Sequence, residues 1–248
     1  VGAGGYSSRS GDQITYVTSG ANGGEVIDGS FNITTNITVK VGDGNTFKGY
    51  WEKTQRGIGR FFSNENSNLG YFGDESRITY DQSVINATGG LGGFGTSDPI
   101  DEGDFSFNDY TYNWDWPYYK DNWTKDYGGR GLYTNSNGKY DGGDGQDGRE
   151  VTIAGKEYVF GGGGGSSGQN GGAGGAGGAG GGGSGGSYIN GVRTAPTPGE
   201  PNTGGGAGGA GRDASTDSTA IGGSGVAYLW HSLFSTIEAD LYRLTITG

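Results

Sequence analysis

Three aspartates recur at every third position of a glycine-rich turn and are the candidates for cation chemistry. They lie in the sequence Asp-Gly-Gly-Asp-Gly-Gln-Asp-Gly, as Asp141, Asp144 and Asp147. Carboxylates presented by glycine turns can bind Ca²⁺, and residues 142–147 match the start of a calcium β-roll repeat. The pattern occurs once, however, and Arg149 stands where that repeat needs a large apolar residue. We therefore expect a solvated acidic turn and no cofactor, with Ca²⁺ as the one weak candidate.

A second candidate site is the aromatic-rich segment at residues 105–133. Its rings alternate with polar residues at Tyr110, Tyr112, Trp114, Trp116 and Tyr118, and Tyr119 follows directly. A strand would place these five alternating rings on one face. Amphipathic rings suit the recognition of sugars or of a protein surface, and they can equally replace a missing aliphatic core. Both interpretations stay open, and the candidate contact residues are Trp114, Trp116, Tyr118 and Tyr119.

Catalytic chemistry has little support. The chain has no cysteine, one histidine and no methionine, which excludes thiolate and multi-histidine metal sites. The glycine runs lack the Gly-Lys-Ser/Thr ending of a phosphate loop, and His231 beside Ser232 is not a triad. We predict a non-enzymatic protein with no catalytic residues. Its net charge of −11 disfavours nucleic acid as a partner, and no apolar run is long enough for membrane insertion.

Glycine accounts for 60 of the 248 residues, far above its usual share. From Gly162 it occupies every third position up to Gly186, and Ala173, Ala176 and Ala179 fall in another register that lines one edge. Three residues per turn is the polyproline II period. Collagen needs abundant proline, which residues 161–195 lack. The register predicts a packed array of polyglycine II helices, and the alternative is a Gly/Ser/Ala linker that never orders.

The elements that must position these candidates are short strands followed by the glycine region. Period-2 alternation and turn signals predict strands at residues 14–18, 31–41, 59–62, 77–80 and 151–160. Residues 42–45 read as a turn, and residues 46–51 as the strand that returns from it to complete a hairpin. The C-terminal residues suggest a strand, a short helix and a closing strand.

The fold class is therefore all-β and irregular, with a packed glycine array toward the C-terminus. We divide the chain into a β-rich, aromatic-containing domain at residues 1–127, a glycine-rich region with interrupting segments at residues 128–230, and a closing segment at residues 231–248.

The glycine runs at residues 161–165, 171–186 and 204–211 are separated by polar segments and closed by Gly-Gly-Ser-Gly-Val-Ala-Tyr from Gly222. This pattern resembles the adhesins at the tips of phage tail fibres, of the T-even type with a polyglycine sandwich. The resemblance covers about residues 128–230, and residues 1–127 do not resemble a fibre-docking domain. In that family the segments between glycine runs form the receptor-binding tip. The resemblance thus implies contacts from residues 188–203 and 212–220, with candidates Tyr188, Ile189, Asn190, Arg193, Thr197, Glu200, Asn202, Arg212, Asp213 and Asp217.

Our leading hypothesis is a non-enzymatic virion adhesin, the receptor-binding protein of a phage tail fibre, with an extracellular or virion-surface location. Its partners would be a bacterial outer-membrane protein or surface glycan, and other fibre proteins or copies of itself. The alternative is a secreted subunit of a filament or surface layer, cut from a longer chain at Val1 and docking its glycine arm into the next subunit. A third hypothesis is an ice-binding polyglycine protein, suggested by the alanine row.

Overall fold

The computed structural model describes residues 1–5, 17–18, 20–31, 36–44, 50–54, 57–62, 73–90, 92–93, 95–96, 133–136, 139–168, 171–210, 220–229 and 244–247. Within these ranges the chain forms short strands and extended glycine-rich segments, and no helix. The expected all-β, irregular fold class is confirmed for them. None of these residues belongs to a helix that could cross a membrane.

The strands are short and form small sheets. In chain order they are β1 (Val17–Thr18), β2 (Ile37–Lys40), β3 (Tyr50–Thr54), β4 (Gly57–Phe62), β5 (Ser76–Tyr80), β6 (Ser83–Ala87), β7 (Gly95–Thr96), β8 (Tyr133–Ser136), β9 (Lys139–Gly142), β10 (Arg149–Ile153), β11 (Lys156–Phe160), β12 (Ser187–Ile189), β13 (Val192–Thr194) and β14 (Leu244–Thr247). The largest sheet has the order β14-β2-β5-β6, in which β14 runs parallel to β2 and the other pairs are antiparallel. The remaining strands form antiparallel pairs: β1–β7, β3–β4, β8–β9, β10–β11 and β12–β13.

The half-buried strand expected within residues 31–41 is present as β2. Ile37 and Val39 are buried and Thr38 between them is exposed, as period-2 alternation requires. The closing strand at the C-terminus is also present, as β14. The segment from Val226 to Leu229 is not a strand, and the expected helix falls at residues 230–243, outside the described ranges.

Two expected strands were assigned wrongly. Of the return strand expected at residues 46–51, the described Tyr50 and Trp51 belong to β3, which pairs with β4, whereas β2 pairs with β5 and β14; residues 46–49 lie outside the described ranges. Gly42 and Gly44 pack in the array, where Gly225 donates a backbone hydrogen bond to Gly42 (2.9 Å) and Gly44 packs on Gly222. The predicted strand at residues 151–160 is instead a hairpin, β10–β11. Its turn holds Ala154 and Gly155 at φ 50° and 80°.

Extended segments joined by backbone hydrogen bonds form the centre of the molecule, which we call the glycine array. Its members are residues 1–5, 20–26, 42–44, 73–75, 87–90, 141–148, 160–168, 171–180, 181–186, 196–200, 204–210 and 220–226. The bonds recur with a three-residue period. The amides of Gly162, Gly165 and Gly168 donate to the carbonyls of Gly180, Gly183 and Gly186 at 2.8–3.0 Å. This period is the one predicted from the sequence; the polyglycine II form of each segment stays a prediction.

The bond registers give each segment a direction. Residues 162–168 run parallel to 180–186, because both members of successive pairs rise by three. Residues 162–168 run antiparallel to 141–148, because Gly163 donates to Gln146 and Ser166 donates to Gly143. The hydrogen-bond registers of the other segments show in the same way that consecutive segments of the array alternate in direction. The array therefore has two ends, which are defined by the residues that lie at them.

We call the end where Gly168, Gly186 and Ala210 lie the loop end, and the end where Phe160, Gly181 and Gly204 lie the sheet end. The large sheet joins the sheet end, since the Ser76 hydroxyl at the start of β5 accepts a bond from the Gly42 amide (2.9 Å). Strands β10 and β11 also lie at the sheet end. Strands β8 and β9 and strands β12 and β13 lie at the loop end, because they lead into residue 142 and out of residue 186.

Close backbone approach explains the abundance of glycine. A Cβ atom added to Gly164, Gly205 or Gly4 would lie under 3.0 Å from a carbonyl oxygen of the neighbouring segment. A side chain therefore cannot enter these positions without separating two backbones. Most of the buried apolar side chains of the described residues are alanines, and they include a cluster of Ala21, Ala207 and Ala220. Backbone rather than side chains fills the interior of the array.

The expected domain boundaries at residues 127 and 230 stay predictions. The array nevertheless takes segments from both sides of residue 127. Ala21 accepts a hydrogen bond from Gly164 (2.9 Å) and donates one to Ala207 (2.8 Å). Residues 1–5 likewise pack within the array of their own chain, where Gly4 donates to Gly223 (2.8 Å).

Candidate functional site

Most of the long chain connections begin and end at the loop end. The chain leaves the array there after residues 5, 44, 90, 186 and 210 and re-enters it at residues 20, 73, 141, 196 and 220. Connections at the sheet end are the tight hairpins β5–β6 and β10–β11, the turns at residues 180–181 and 201–203, and one longer segment, residues 27–41, which contains β2. Connections longer than about 12–15 residues usually carry function in compact domains. The loop end is therefore the candidate functional surface.

The hairpin β12–β13 is the described part of this surface that contains predicted contact residues. Its turn is Asn190-Gly191, with φ of 49° and 80°, which is the sequence and geometry of a two-residue type I′ turn. The ladder pairs Tyr188 with Arg193 and Ile189 with Val192. The structure thus brings four of the predicted residues together: Tyr188, Ile189, Asn190 and Arg193.

Both faces of this hairpin meet solvent. Directly opposed residues share a face and neighbours alternate, so Tyr188 and Arg193 lie on one face and Ile189 and Val192 on the other. The exposed fractions are 46% for Tyr188, 36% for Ile189 and 67% for Val192. Arg193 is also exposed. Val192 was not predicted as a contact, although its place opposite Ile189 across an Asn-Gly turn was a signal for it.

The other described candidates do not join this group. Thr197 lies in the array segment that runs back from the hairpin, where its amide donates to the Ser184 carbonyl (2.9 Å) and its hydroxyl accepts from the Ser184 amide (2.7 Å). Glu200 lies at the opposite end and donates its amide to Gly181 (2.7 Å). Asn202, with φ of 63°, lies in the sheet-end turn and donates its amide to the Ser224 hydroxyl (2.9 Å). Residues 188–203 therefore do not form one surface.

Several candidates fall outside the described ranges: Arg212, Asp213, Asp217, Trp114, Trp116, Tyr118 and Tyr119. The described residues that flank 211–219 are Ala210 and Ala220. Both are buried at the loop end, so this connection departs from and returns to the same end as the hairpin.

The three aspartates bind backbone. Asp141, Asp144 and Asp147 each accept a hydrogen bond on Oδ1 from the alanine amides of the next segment, at 2.9, 2.7 and 2.7 Å. The amides that follow them, of Gly142, Gly145 and Gly148, donate to the carbonyls of the same alanines at 2.7–2.8 Å. We call this the aspartate ladder. The alanines concerned are Ala173, Ala176 and Ala179, which are exposed along an edge as predicted.

The spacing of the aspartate ladder does not favour one shared ion. Three extended residues span roughly 9–10 Å, whereas Ca²⁺ ligands lie at about 2.3–2.6 Å from the ion. In the described part of the chain no three His, Cys, Asp or Glu residues form a group suited to a metal ion. The carboxylates instead accept hydrogen bonds from the amides at the exposed edge of the array.

An aromatic cluster at the sheet end was not predicted. The Tyr158 and Phe160 rings stack at 5.9 Å between centroids, and the Tyr228 ring contacts both at 5.9 and 5.8 Å. The Lys156 ammonium lies 5.0 Å from the Tyr158 centroid. The i, i+2 spacing of Tyr158 and Phe160 was a signal for a shared face, but the contact with Tyr228 depends on the folded array.

The amino group of Val1 is held in the array. It donates to the Val226 carbonyl (2.8 Å), and the Val226 amide donates to the Val1 carbonyl (3.2 Å). Burial lowers the pKa of this amino group from 8.0 to about 6, against the opposing charge of Glu25. Glu25 is itself buried and accepts bonds from the amide and hydroxyl of Thr88 (2.8 and 2.9 Å).

Comparison with protein families gives one match, to a family described as Glycine-rich domain, over residues 1–230. Comparisons with curated proteins and with solved structures give no significant match. The matched range includes every segment of the glycine array on both sides of residue 127. The chain therefore belongs to the Glycine-rich domain family.

Proposed function

We propose that the protein is a non-enzymatic receptor-binding adhesin, the tip of a phage tail fibre that recognises a bacterial surface protein or glycan. The observation that supports this proposal is that five connections leave the array and re-enter it at the loop end. An array built from backbone hydrogen bonds leaves little freedom for side-chain variation within it. The segments that can differ in sequence and length are those that leave the array, and the described residues that flank them lie at one end.

The arrangement suits recognition by several segments at once. Binding sites are commonly built from connections that a rigid scaffold positions. The hairpin β12–β13 and the connection between Ala210 and Ala220 leave the array at the same end, so one receptor could contact both. The bacterial partner and the extracellular location belong to this proposal and do not follow from the family membership.

The proposal is tested by measuring binding of fluorescently labelled protein to a panel of intact bacterial strains. We expect saturable binding to some strains. Two variants replace residues 187–195 or residues 211–219 with Gly/Ser segments of equal length. Each is expected to lose binding at least tenfold while circular dichroism and melting temperature stay close to those of the unmodified protein.

A matched control replaces residues 153–156, the hairpin turn at the sheet end, in the same way. This variant is expected to bind the same strains with unchanged affinity. The proposal fails if the unmodified protein binds no strain, or if both loop-end replacements bind every strain as the unmodified protein does.

A filament or surface-layer subunit is the alternative from the sequence, and it relied on a glycine- and serine-rich arm at residues 1–11 docking into a neighbouring subunit. Residues 1–5 of that arm pack within the array of their own chain, so they offer no support for that docking, and residues 6–11 lie outside the described ranges. Electron microscopy of the purified protein distinguishes the hypotheses, since filaments formed without other proteins would favour the alternative.

A further inference from the structure

We propose that Asn190 is a site of spontaneous covalent modification, at which the side-chain amide is converted to aspartate or isoaspartate through a cyclic imide. The site is the Asn190-Gly191 turn at the tip of the hairpin β12–β13. The reacting atoms belong to the chain itself, and water is the one co-reactant. The inference goes beyond the proposed function and does not depend on it.

The reaction joins the backbone nitrogen of Gly191 to the side-chain Cγ of Asn190. The N–Cγ bond forms as the Cγ–Nδ2 bond breaks, and Nδ2 leaves as ammonia with the proton of the Gly191 amide. Water then adds to one of the two imide carbonyls and opens the ring. Opening at one carbonyl gives aspartate, and opening at the other gives isoaspartate, whose backbone runs through the former side chain. Glycine is the most reactive following residue because it has no Cβ atom to hinder the attack.

The structure leaves this turn accessible. Asn190 and Gly191 are both exposed, and a Cβ atom on Gly191 would meet nothing within 4 Å. No described residue accepts a hydrogen bond from the Gly191 amide. The nitrogen that must attack is therefore held neither by a neighbouring segment nor by a hydrogen bond to the described part of the chain.

Ring closure changes the backbone torsions of Asn190, which has φ of 49° in the turn, so the turn must open first. This opening is local. The hairpin has three residue pairs and joins no other described strand, and a two-stranded hairpin is only marginally stable by its own pairing. We therefore expect the reactive conformation to be reached without unfolding of the glycine array.

A second described Asn-Gly pair, Asn22-Gly23, provides an internal comparison. Gly23 is buried, and a Cβ atom on it would lie 2.0 Å from the Gly161 carbonyl oxygen. The Asn22 carbonyl accepts a hydrogen bond from the Gly5 amide (2.9 Å). Ring closure at Asn22 would therefore separate segments of the array, which requires a much larger opening free energy than a hairpin tip does. The other Asn-Gly pairs, at residues 137–138 and 170–171, include residues outside the described ranges.

Modification changes the tip of the hairpin in two ways. It replaces a neutral amide with a carboxylate, and isoaspartate also lengthens the backbone of the turn by one atom. A two-residue type I′ turn fixes the register of the strands that it joins. We therefore expect isoaspartate to weaken the pairing of Ile189 with Val192, which flanks the turn.

The test incubates the full chain at mildly alkaline pH and follows each Asn-Gly peptide by mass spectrometry, which detects the replacement of an amide by a carboxylate. Asn190 is expected to react at least about tenfold faster than Asn22, because the rate follows the population of the opened form. Labelling with an isoaspartate methyltransferase is expected in the peptide that contains residue 190. In concentrated guanidinium chloride, where neither site is held by structure, the two rates are expected to be similar.

The matched variant is Asn190→Gln, which keeps an amide but lengthens the side chain. It is expected to lose modification and methyltransferase labelling at residue 190 and to leave the slow reaction at Asn22 unchanged. Equal rates at Asn190 and Asn22 in the folded chain would overturn the inference. An unmodified Asn190 in the folded chain, after the denatured chain has reacted, would also overturn it. Since the readout is the mass of each peptide, failure to bind any bacterial strain would overturn the adhesin proposal alone.

Discussion

Gly164 and Ala207 pack backbone to backbone, so close that a Cβ atom on Gly164 would lie under 3.0 Å from the Ala207 carbonyl oxygen. Gly164 also donates its amide to Ala21, which in turn donates to Ala207. Three segments that are distant in sequence are therefore locked at one level of the array. The clash would be with backbone, which cannot rotate away as a side chain can.

Gly164→Ala is expected to be strongly destabilising for that reason. Overpacking a tight interior costs about 1–3 kcal/mol and occasionally more, and we expect the upper part of this range or beyond. Gly29→Ala is the matched control, because a Cβ atom there would meet nothing within 4 Å; its effect should stay within about 1 kcal/mol. Chemical unfolding measures both. Equal free energies of unfolding in the two variants would contradict backbone packing as the basis of the array.

The aspartate ladder makes a prediction about the edge of the array. Asp144→Ala removes the acceptor for the Ala176 amide, and because this site is exposed the cost should be only about 0.5–1.5 kcal/mol. Hydrogen exchange of the Ala176 amide should accelerate clearly. Asp144→Asn keeps an oxygen acceptor and should preserve most of the protection. Fast exchange at Ala176 in the unmodified protein would contradict the ladder.

Two glycines in matched turns allow stability to be separated from binding. Gly191 and Gly155 both have φ of 80°, and a Cβ atom at either would meet nothing within 4 Å. Alanine at each position should cost about 1–2 kcal/mol through the left-handed backbone alone. We expect similar melting temperatures for the two variants, with weaker cell binding only for Gly191→Ala. Equal loss of binding in both variants would mean that general instability, and not a change in the hairpin β12–β13, is responsible.

For a polypeptide that begins at Val1, we predict that the free energy of unfolding depends on pH because the amino group is buried. Its folded pKa of about 6 lies below the ordinary 8.0, so the unfolded chain binds more protons between these values. The free energy of unfolding should therefore rise as the pH increases from 6 to 8, by roughly 3 kcal/mol. Below pH 6 the amine is protonated in both states and this contribution stays lost. The ¹⁵N shift of the amino group should titrate near pH 6, and a midpoint near pH 8 would contradict its burial.

The three-residue glycine register gave the strongest correct expectation from the sequence. It predicted both the bond period and the exposed alanine edge at Ala173, Ala176 and Ala179, because a regular repeat fixes geometry locally. The strands β2 and β14 were also anticipated from alternation, and parts of β4 and β5 as short segments between turn residues. The pairing of the strand that ends before Gly42 was predicted wrongly. Gly42 and Gly44 carry a turn signature, and only the distant segment at residues 220–226 makes them part of the array. Long-range partners of this kind leave no local pattern.

The candidate site was predicted only in part, for the same reason. Tyr188, Ile189, Asn190 and Arg193 were grouped correctly because a short hairpin brings them together locally. Glu200 and Asn202 were grouped with them by sequence proximity, but residues 196–200 cross the whole array and carry them to the other end. Val192 was not among the predicted contacts, because the resemblance implied residue ranges and did not indicate which side chains within them are exposed.

The alternating course of the segments has a consequence for how this protein can diversify. Each connection at the loop end begins and ends on the array, so its length can change without displacing any other segment. We expect substitutions at the packed glycines to destabilise the fold and therefore to be removed by selection. Insertions and substitutions at the loop end are expected to be tolerated individually. Under the proposed function, the protein could acquire a new receptor specificity by changing one connection at a time while the glycine array stays unchanged.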